Sequence, residues 1–281
     1  MPKTVTTVYA LGFSTLPPAF EGFTVAHISD FHNHAHGAAL TERVSAAKPD
    51  LIAITGDMIH VEGRADHALA CMRALAQAAP CYYVSGNHES VLDCYPAFIE
   101  SIEALGIRVL RNEAVLIERA GGRLALFGMD DPTFFPVAPG YLESKSERRR
   151  AKRKGERVSK AERRPAGIGR KVSFKEKLTE LSGLYADDFR ILLSHRPELK
   201  DDYLKAGFDL TLTGHAHGGQ VILPLLGPLY APNQGWFPKL TQGRHDGPGE
   251  TCMVVSRGLG DSHRIPRINN PYELVIVCLK R

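Results

Sequence analysis

Five short apolar runs along the chain each end in a polar motif. They are FTVAHIS (23–29), LIAIT (51–55), CYYVS (81–85), ILLS (191–194) and FDLTLT (208–213). Runs of this length, bounded mostly by Gly or Asp, predict buried strands. The polar motifs would therefore lie at the same end of five strands, which is the end where open α/β sheets bind ligands.

The segments between the first three of these runs have a helical composition. Helices are predicted at 38–47 and 65–78, and a third at 97–105. After Gly106, the runs IRVL, AVLIE and RLALFGM predict three short antiparallel strands. The alternation TVTTVYALGF near the start predicts an edge strand that enters the domain.

Length and composition agree with one domain over 1–281. The chain has 281 residues, 43% of them hydrophobic, which suits a mixed α/β fold with a single core. Five cysteines, an odd number without a C-x-x-C pair, indicate reduced core residues of a cytoplasmic protein. The first twenty residues contain no apolar run of the ~18 residues that span a bilayer, which also favours a cytoplasmic location.

One strongly basic insert stands apart, at about 145–177. It holds fifteen Lys and Arg against four Glu, in a chain whose net charge is +4. The segment is either a solvated insertion or an arm for polyanions, such as an anionic membrane surface or nucleic acid. Because no aromatic residues alternate with the basic ones, base stacking on nucleic acid is the less favoured use.

The polar motifs supply seven residues whose side chains are suited to metal binding. They are Asp30, His32, Asp57, Asn87, His195, His215 and His217. One tetrahedral zinc ion needs about four ligands, so seven suit two ions that share the carboxylate of Asp57. Imidazole and carboxylate ligands suit Mn, Fe or Zn. Because only two of the seven are anionic, the loaded site would remain cationic and attract an anion.

The ordered set D-x-H, G-D, G-N-H-E, H and G-H-x-H resembles the calcineurin-like metallophosphoesterases. The stretches GHAHGGQVILPLLGPLYAP, VSRGLGDS and NNPYELVIVCLK are similar to one bacterial branch of cell-envelope phosphodiesterases, which includes UDP-2,3-diacylglucosamine pyrophosphatases. Members of that branch often begin with a membrane anchor, a pattern from which this chain departs. The resemblance implies a four-layer αββα sandwich, in which helices cover two packed, mixed sheets.

Carried over by residue, the resemblance assigns two metal sites. The first takes Asp30, His32, Asp57 and His217, and the second takes Asp57, Asn87, His195 and His215. His88 would stabilise or protonate the leaving oxygen, and Glu89 would orient His88. Two ions about 3.5–4 Å apart would clamp a phosphate and turn a bridging water into hydroxide for in-line attack.

Other polar residues are weaker candidates. His245 and His263 lie in C-terminal loops that could reach substrate. Four more histidines, His34, His36, His60 and His67, are expected to be exposed or to lie behind the ligands. Asp130 and Asp131 are interpreted as turn-forming carboxylates. The loop at 218–249 holds the only tryptophan, Trp236, and either lines a substrate pocket or packs on itself.

Three functions follow from these patterns. The first is a di-metal hydrolase of phosphodiesters or pyrophosphates, with lipid-linked or nucleotide-sugar substrates as candidates. The second is a nuclease or cyclic nucleotide phosphodiesterase of the same chemistry, using the basic insert to hold nucleic acid. The third is a binding scaffold without catalysis, which is disfavoured because no ligand of the set is missing.

Overall fold

The computed structural model describes residues 3–60, 65–135, 172–261 and 266–281. Its described strands build two six-stranded sheets and two small hairpins. Helices cover the outer face of each sheet, so the architecture is the expected four-layer αββα sandwich.

The first sheet has the strand order β1-β16-β2-β3-β4-β5. Its strands are β1 (Thr4–Gly12), β2 (Thr24–Ile28), β3 (Leu51–Thr55), β4 (Cys81–Val84), β5 (Arg108–Val109) and β16 (Tyr272–Lys280). Strands β2 to β5 are parallel, and β16 is antiparallel to β2 but parallel to β1. Three helices connect the parallel strands, namely α1 (Gly37–Ala47), α2 (Asp66–Ala78) and α3 (Tyr95–Ala104). These bounds confirm the three predicted helices and the edge strand β1.

The second sheet has the order β14-β15-β9-β8-β7-β6. Its strands are β6 (Glu113–Arg119), β7 (Gly122–Gly128), β8 (Phe189–Leu193), β9 (Leu210–Thr213), β14 (Gly243–Asp246) and β15 (Cys252–Val255). The five strands that precede polar motifs are thus divided, three in the first sheet and β8 and β9 in the second. The helices of this half are α4 (Phe174–Ser182) and α5 (Lys200–Lys205).

Alternating side chains build the core on both faces of each sheet. Val25 and Ala53 face Ile191 and Leu212 between the two sheets. The neighbouring positions on β2 and β3, such as Ile28, pack instead on the outer helices. On the second sheet the outer layer holds Phe127, Leu192 and Met253 against Phe174 and Tyr203. This two-sided burial explains the continuous apolar runs in the sequence, because strands buried on both faces do not alternate polar and apolar residues.

One detail of the prediction is wrong. The run IRVL does not join an antiparallel group, because β5 pairs parallel with β4 in the first sheet. Only β6 and β7 of those three form an antiparallel pair. The last residues of the basic insert form the start of α4, which Ser173 caps by accepting a hydrogen bond from the backbone of Glu176 at 3.3 Å. Residues 145–171 of the insert lie outside the described residues.

Two small hairpins follow the G-H-x-H motif. They are formed by β10 (Ile222–Leu223) with β11 (Gly227–Pro228), and by β12 (Tyr230–Ala231) with β13 (Gly235–Trp236). Cysteines 71, 81 and 252 are buried, as predicted, while Cys94 and Cys278 are partly exposed. Within the described ranges, no helix has both the length and the apolar character that a bilayer crossing requires.

Candidate metal centre

The carboxyl ends of five strands bring all seven predicted ligands into one region. Asp30 and His32 follow β2, Asp57 follows β3, and Asn87 follows β4. The second sheet contributes His195 after β8, and His215 and His217 after β9. Six of these residues are buried and Asn87 is partly buried. The centre therefore lies where the two sheets meet at one end of the sandwich.

The donor atoms form two groups of metal-site dimensions. Asp30, His32 and His217 offer ligand atoms that all lie within 4.8 Å of one another, and so do Asp57, His195 and His215. In the first group, Nε2 of His217 lies 3.4 Å from Oδ1 of Asp30 and 3.2 Å from Nε2 of His32. In the second, Nε2 of His195 lies 3.3 Å from Oδ2 of Asp57. The grouping agrees with the division into two sites that the resemblance implies.

Asp57 lies between the two groups. Its Oδ2 is 3.3 Å from His195 and 3.8 Å from Nε2 of His32, which belongs to the other group. A carboxylate in this position can contact two cations at once.

Three buried donor atoms are suited to metal ions. Within the described part of the chain, Oδ2 of Asp57, Oδ1 of Asn87 and Nε2 of His195 are buried without a well-formed hydrogen bond, and the first and last of them face each other at 3.3 Å. A buried acceptor without a partner destabilises the fold by about 1–3 kcal/mol. Coordination of a cation would remove this cost, and the mixture of nitrogen and oxygen donors suits Mn, Fe or Zn.

The charges of the centre are strongly coupled. Burial raises the pKa of Asp57, but the charges of His195 and His88 lower it by more than burial raises it. The pKa of Asp57 therefore lies well below its usual value. Burial lowers the pKa of His195, yet the Asp57 and Asp30 carboxylates outweigh burial and raise it to about 10. Burial keeps the pKa values of His32 and His215 well below the usual value. These two imidazoles are therefore neutral, as metal ligands must be, whereas His195 would have to release its proton on binding an ion.

The backbone at the ligand positions is unusual. Left-handed φ angles occur at Asp30 (53°), His32 (52°), Asp57 (55°), His215 (66°) and His217 (49°). Residues with a side chain rarely adopt this conformation, which costs about 1–3 kcal/mol at each position. The strain is retained because backbone bonds between loops fix it, such as that from N of His32 to O of Asp57 at 2.9 Å.

Glycines in the motifs allow the ligand loops to approach one another. A Cβ on Gly86 would overlap the Asp57 carboxylate, and one on Gly214 would overlap the side chains of Ser29 and Asp30. The Gly in G-N-H-E and the Gly in G-H-x-H are thus explained by close packing against the ligands. The second contact joins loops from different sheets.

Glu89 has a different partner from the one predicted. Its buried carboxylate accepts hydrogen bonds from the backbone N–H groups of Asp57 (2.9 Å), Met58 (2.7 Å), Ile59 (3.3 Å) and Gly86 (2.9 Å). The expectation that Glu89 orients the His88 side chain is therefore wrong. Burial and the Asp57 charge raise the pKa of Glu89 to about 8, while the four donors favour its ionised form. Glu89 fixes the loop that carries Asp57.

Replacing Glu89 with alanine is expected to lower the free energy of unfolding by roughly 3 kcal/mol, because four buried N–H groups lose their acceptor. Urea titration measures this change. Glu42→Ala, an exposed position on α1, serves as the matched control and should leave stability within about 0.5 kcal/mol of the parent. Equal effects of the two substitutions would contradict the anchoring role.

His88 occupies the open side of the centre. Its side chain is 19% exposed, and its Nε2 lies 3.9 Å from Oδ2 of Asp57. The backbone N–H of His88 donates to Oδ1 of Asp57 at 2.9 Å, which fixes its position. Its ring lies 4.9 Å from the ring of His32. Since its atoms also group with His32 and Asp57 at ligand distances, the geometry alone permits either an acid or a ligand.

Sequence reasoning missed an ion pair beside the second group. The buried Arg196 donates from Nε and Nη2 to both carboxylate oxygens of Asp131, at 2.7 and 3.0 Å. Asp131 does accept from the backbone N–H of Thr133, as a turn residue would. The interpretation of Asp131 as a turn-forming carboxylate is therefore confirmed, and its ion pair with Arg196 is an additional role. The available signal was the position of Arg196 directly after His195.

Two further residues that contact the G-H-x-H histidines were also missed. Arg267 lies 3.1 Å from Nδ1 of His217 and pairs with Asp261 at 3.0 Å. Nδ2 of Asn233 lies 3.2 Å from Nε2 of His215. Both lie far along the chain from the motifs in which ligands were sought.

The remaining candidate histidines separate into several environments. His60 bonds the backbone oxygen of His32 at 3.1 Å and stands behind that ligand. His34 contacts the Tyr272 hydroxyl at 3.1 Å, and His67 is exposed on α2. His245 bonds the backbone oxygen of Gln242 at 3.0 Å. His263 lies outside the described residues.

Comparisons with known proteins found similar sequences and structures. The sequence profile described as calcineurin-like phosphoesterase matches residues 23–219. The uncharacterized metallophosphoesterase YkuE of Bacillus subtilis is 27% identical over 98% of this chain and 85% of its own length. The phosphodiesterase YaeI of Escherichia coli is 25% identical over 83% of this chain and 71% of its own. A dimetal phosphatase from Danio rerio has a TM-score of 0.47 and 15% identity, covering 85% of this chain and 88% of that one.

Proposed function

Because this chain belongs to the calcineurin-like phosphoesterase family, a family of metal-dependent phosphoric ester hydrolases, we propose that it hydrolyses a phosphodiester or pyrophosphate bond with two metal ions. The observation that carries the proposal is the position of Asp57 between two groups of buried ligand atoms. Asn87 completes the second group, since its Oδ1 is buried without a partner in the described chain.

Each residue has a defined task in this proposal. Asp30, His32, Asp57 and His217 hold the first ion, and Asp57, Asn87, His195 and His215 hold the second. When bound, the ions supply Lewis acidity for the phosphoryl oxygens and activate water as the nucleophile. His88 donates a proton to the leaving oxygen from the partly exposed side of the centre, and Glu89 keeps the Asp57 loop in place.

The charge balance supports a phosphate substrate. Only Asp30 and Asp57 among the seven proposed ligands are anionic, so two dications leave the centre with a net positive charge. Arg267 contacts His217 on one side and Arg196 follows His195 on the other. We propose Mn, Fe or Zn as the native ions because all three accept this mixture of imidazole and oxygen ligands.

The same proposal includes the class of substrate and the cellular location. Lipid-linked and nucleotide-sugar phosphates fit the reaction type, and the five unpaired cysteines suit a cytoplasmic setting. The nuclease alternative rests on the basic insert, whose residues 145–171 are not among those described, so no contact of the structure supports it.

Metal removal tests the reaction. Treatment with a chelator should abolish hydrolysis of bis(p-nitrophenyl) phosphate, and addition of Mn, Fe or Zn should restore it at a stoichiometry approaching two ions per chain. Metal analysis and absorbance at the nitrophenolate band measure both quantities on the same samples. Turnover that survives complete metal removal, or a metal-loaded protein inactive on phosphodiester and pyrophosphate substrates, would overturn the proposal.

A further inference from the structure

The loop after the G-H-x-H motif exposes an unusual amount of apolar surface. From Gly218 to Pro238 the sequence contains no charged residue, although 23% of the whole chain is charged. Five large apolar side chains of this region are exposed, and so is Ile268 on the segment that bonds to Ile222. We call these six residues the apolar platform: Leu225, Leu226, Tyr230, Trp236, Phe237 and Ile268.

Backbone hydrogen bonds join these residues into one surface. N of Leu229 donates to O of Val221 at 2.8 Å, and N of Phe237 donates to O of Leu229 at 3.0 Å. On the other side, N of Ile222 donates to O of Ile268 at 2.9 Å. Four backbone segments therefore lie side by side, and they carry or adjoin the residues of the platform.

The side chains of the platform do not pack on one another enough to remove them from solvent. Leu225, at the turn between β10 and β11, is fully exposed and has a left-handed φ of 67°. Trp236 is 69% exposed although its ring lies 5.6 Å from that of Tyr230. Contiguous apolar surface of this kind marks a site of interaction.

The platform is attached directly to the proposed metal centre. Asn233, in the turn between β12 and β13, lies 3.2 Å from His215. Asn270 donates to the backbone oxygens of His217 at 2.7 Å and Gln220 at 3.2 Å, which fixes the segment entering β10. Whatever binds the platform is therefore held close to the ligand loops.

We propose that the apolar platform inserts into an anionic lipid bilayer and so presents the metal centre to phosphate groups at the membrane surface. The choice of substrate rests on the proposed function, whereas the binding itself does not.

The arrangement of side chains favours a bilayer as the occupant. Two strongly exposed leucines lie in the turn between β10 and β11, where they can enter the acyl region, and Tyr230 pairs with Trp236 at the open end of the second hairpin. Aromatic residues with a polar atom prefer the interface between headgroups and acyl chains. Lys239, the first charged residue after the platform, is exposed, and Lys3 lines a cavity with Asn269, next to Ile268. These cations suit anionic headgroups.

The single tryptophan gives a direct test. Trp236 emission should shift to the blue when the protein is mixed with vesicles of phosphatidylglycerol and phosphatidylcholine, and brominated acyl chains should quench it. Both measurements use the unaltered chain, so they do not depend on the folding of any variant. An unchanged spectrum with no quenching, at low salt and saturating lipid, would overturn the proposal.

Two double variants test whether vesicle binding depends on the platform or on exposed apolar residues in general. The double substitution Leu225→Glu with Leu226→Glu should weaken vesicle cosedimentation by at least about tenfold, because two charges would have to enter the acyl region. The matched control is Val8→Glu with Leu184→Glu, two exposed apolar positions outside the platform that receive the same charges. Equal loss in both double variants would contradict the assignment.

A second copy of the chain is the competing occupant of the platform, and the oligomeric state tests it. If the unaltered chain is a dimer in analytical ultracentrifugation and Leu225→Glu with Leu226→Glu makes it monomeric, a second copy covers the platform and the bilayer proposal is wrong. A parent that stays monomeric while it binds vesicles supports the bilayer.

Membrane docking and catalysis can be measured separately. Hydrolysis of bis(p-nitrophenyl) phosphate should be the same in the parent and both double variants, because the platform residues are not among the proposed ligands. A parent that binds vesicles but hydrolyses no phosphate ester would refute the proposed function and leave the membrane docking intact.

Discussion

Asp57→Asn is expected to abolish turnover and reduce metal content together. The substitution keeps the shape of the side chain but removes the charge that lies between the two groups of ligands, 3.3 Å from His195 and 3.8 Å from His32. Substituting residues that only orient a metal ligand costs about 10–100-fold in metal affinity or activity. We therefore expect losses above about 10²-fold in kcat/KM, with metal analysis showing fewer than two ions per chain.

The matched control is Asp66→Asn, an exposed carboxylate in the first turn of α2. This variant should retain both ions and normal turnover. Full metal occupancy and parental turnover in Asp57→Asn would show that Asp57 does not bridge the ions.

His88→Ala is expected to lower kcat by roughly 10²–10⁴, the usual contribution of an acid-base group, while both metal ions remain bound. The loss should be larger for an alkyl phosphodiester than for a p-nitrophenyl ester, because a poor leaving group depends more on proton donation. Steady-state kinetics on the two substrates, with metal analysis of the same preparation, measure this difference.

His67→Ala, on the exposed face of α2, controls for the loss of an imidazole elsewhere on the surface. A His88→Ala protein that loses metal would assign His88 as a ligand, consistent with its distance from His32 and Asp57. Equal losses for the two leaving groups would argue against proton donation.

The fold was predictable wherever burial is continuous along a strand. Runs such as LIAIT are apolar at four of five positions because β3 is buried on both faces, and their short length favours a strand over a helix. The orientation of β5 was not predictable in the same way. It has two residues, and its parallel pairing with β4 depends on the path of α3 rather than on its own sequence.

The candidate site was also predictable only in part. The proposed ligands were found because their side-chain types have few other uses after a buried strand. The partner of Glu89 and the ion pair of Asp131 were missed because they lie elsewhere in the chain: Glu89 contacts backbone about thirty residues before it, and Asp131 contacts Arg196, 65 residues after it. The left-handed backbone at Asp30 and His215 has only a weak signal in residue type, since Asp and His adopt this conformation more often than most residues but tertiary bonds select the positions.

The position of β16 in the first sheet has a consequence for folding. This strand lies between β1 and β2, and it follows every other described strand in the chain. Thr7 on β1 donates a hydrogen bond to Glu273 on β16, 266 residues away. Until that loop closes, β1 has no neighbour in the sheet and its inward side chains, such as Leu11, remain without their core. Contacts of such high sequence separation slow folding, so a chain growing on a ribosome must keep β1 without its neighbour until synthesis reaches β16.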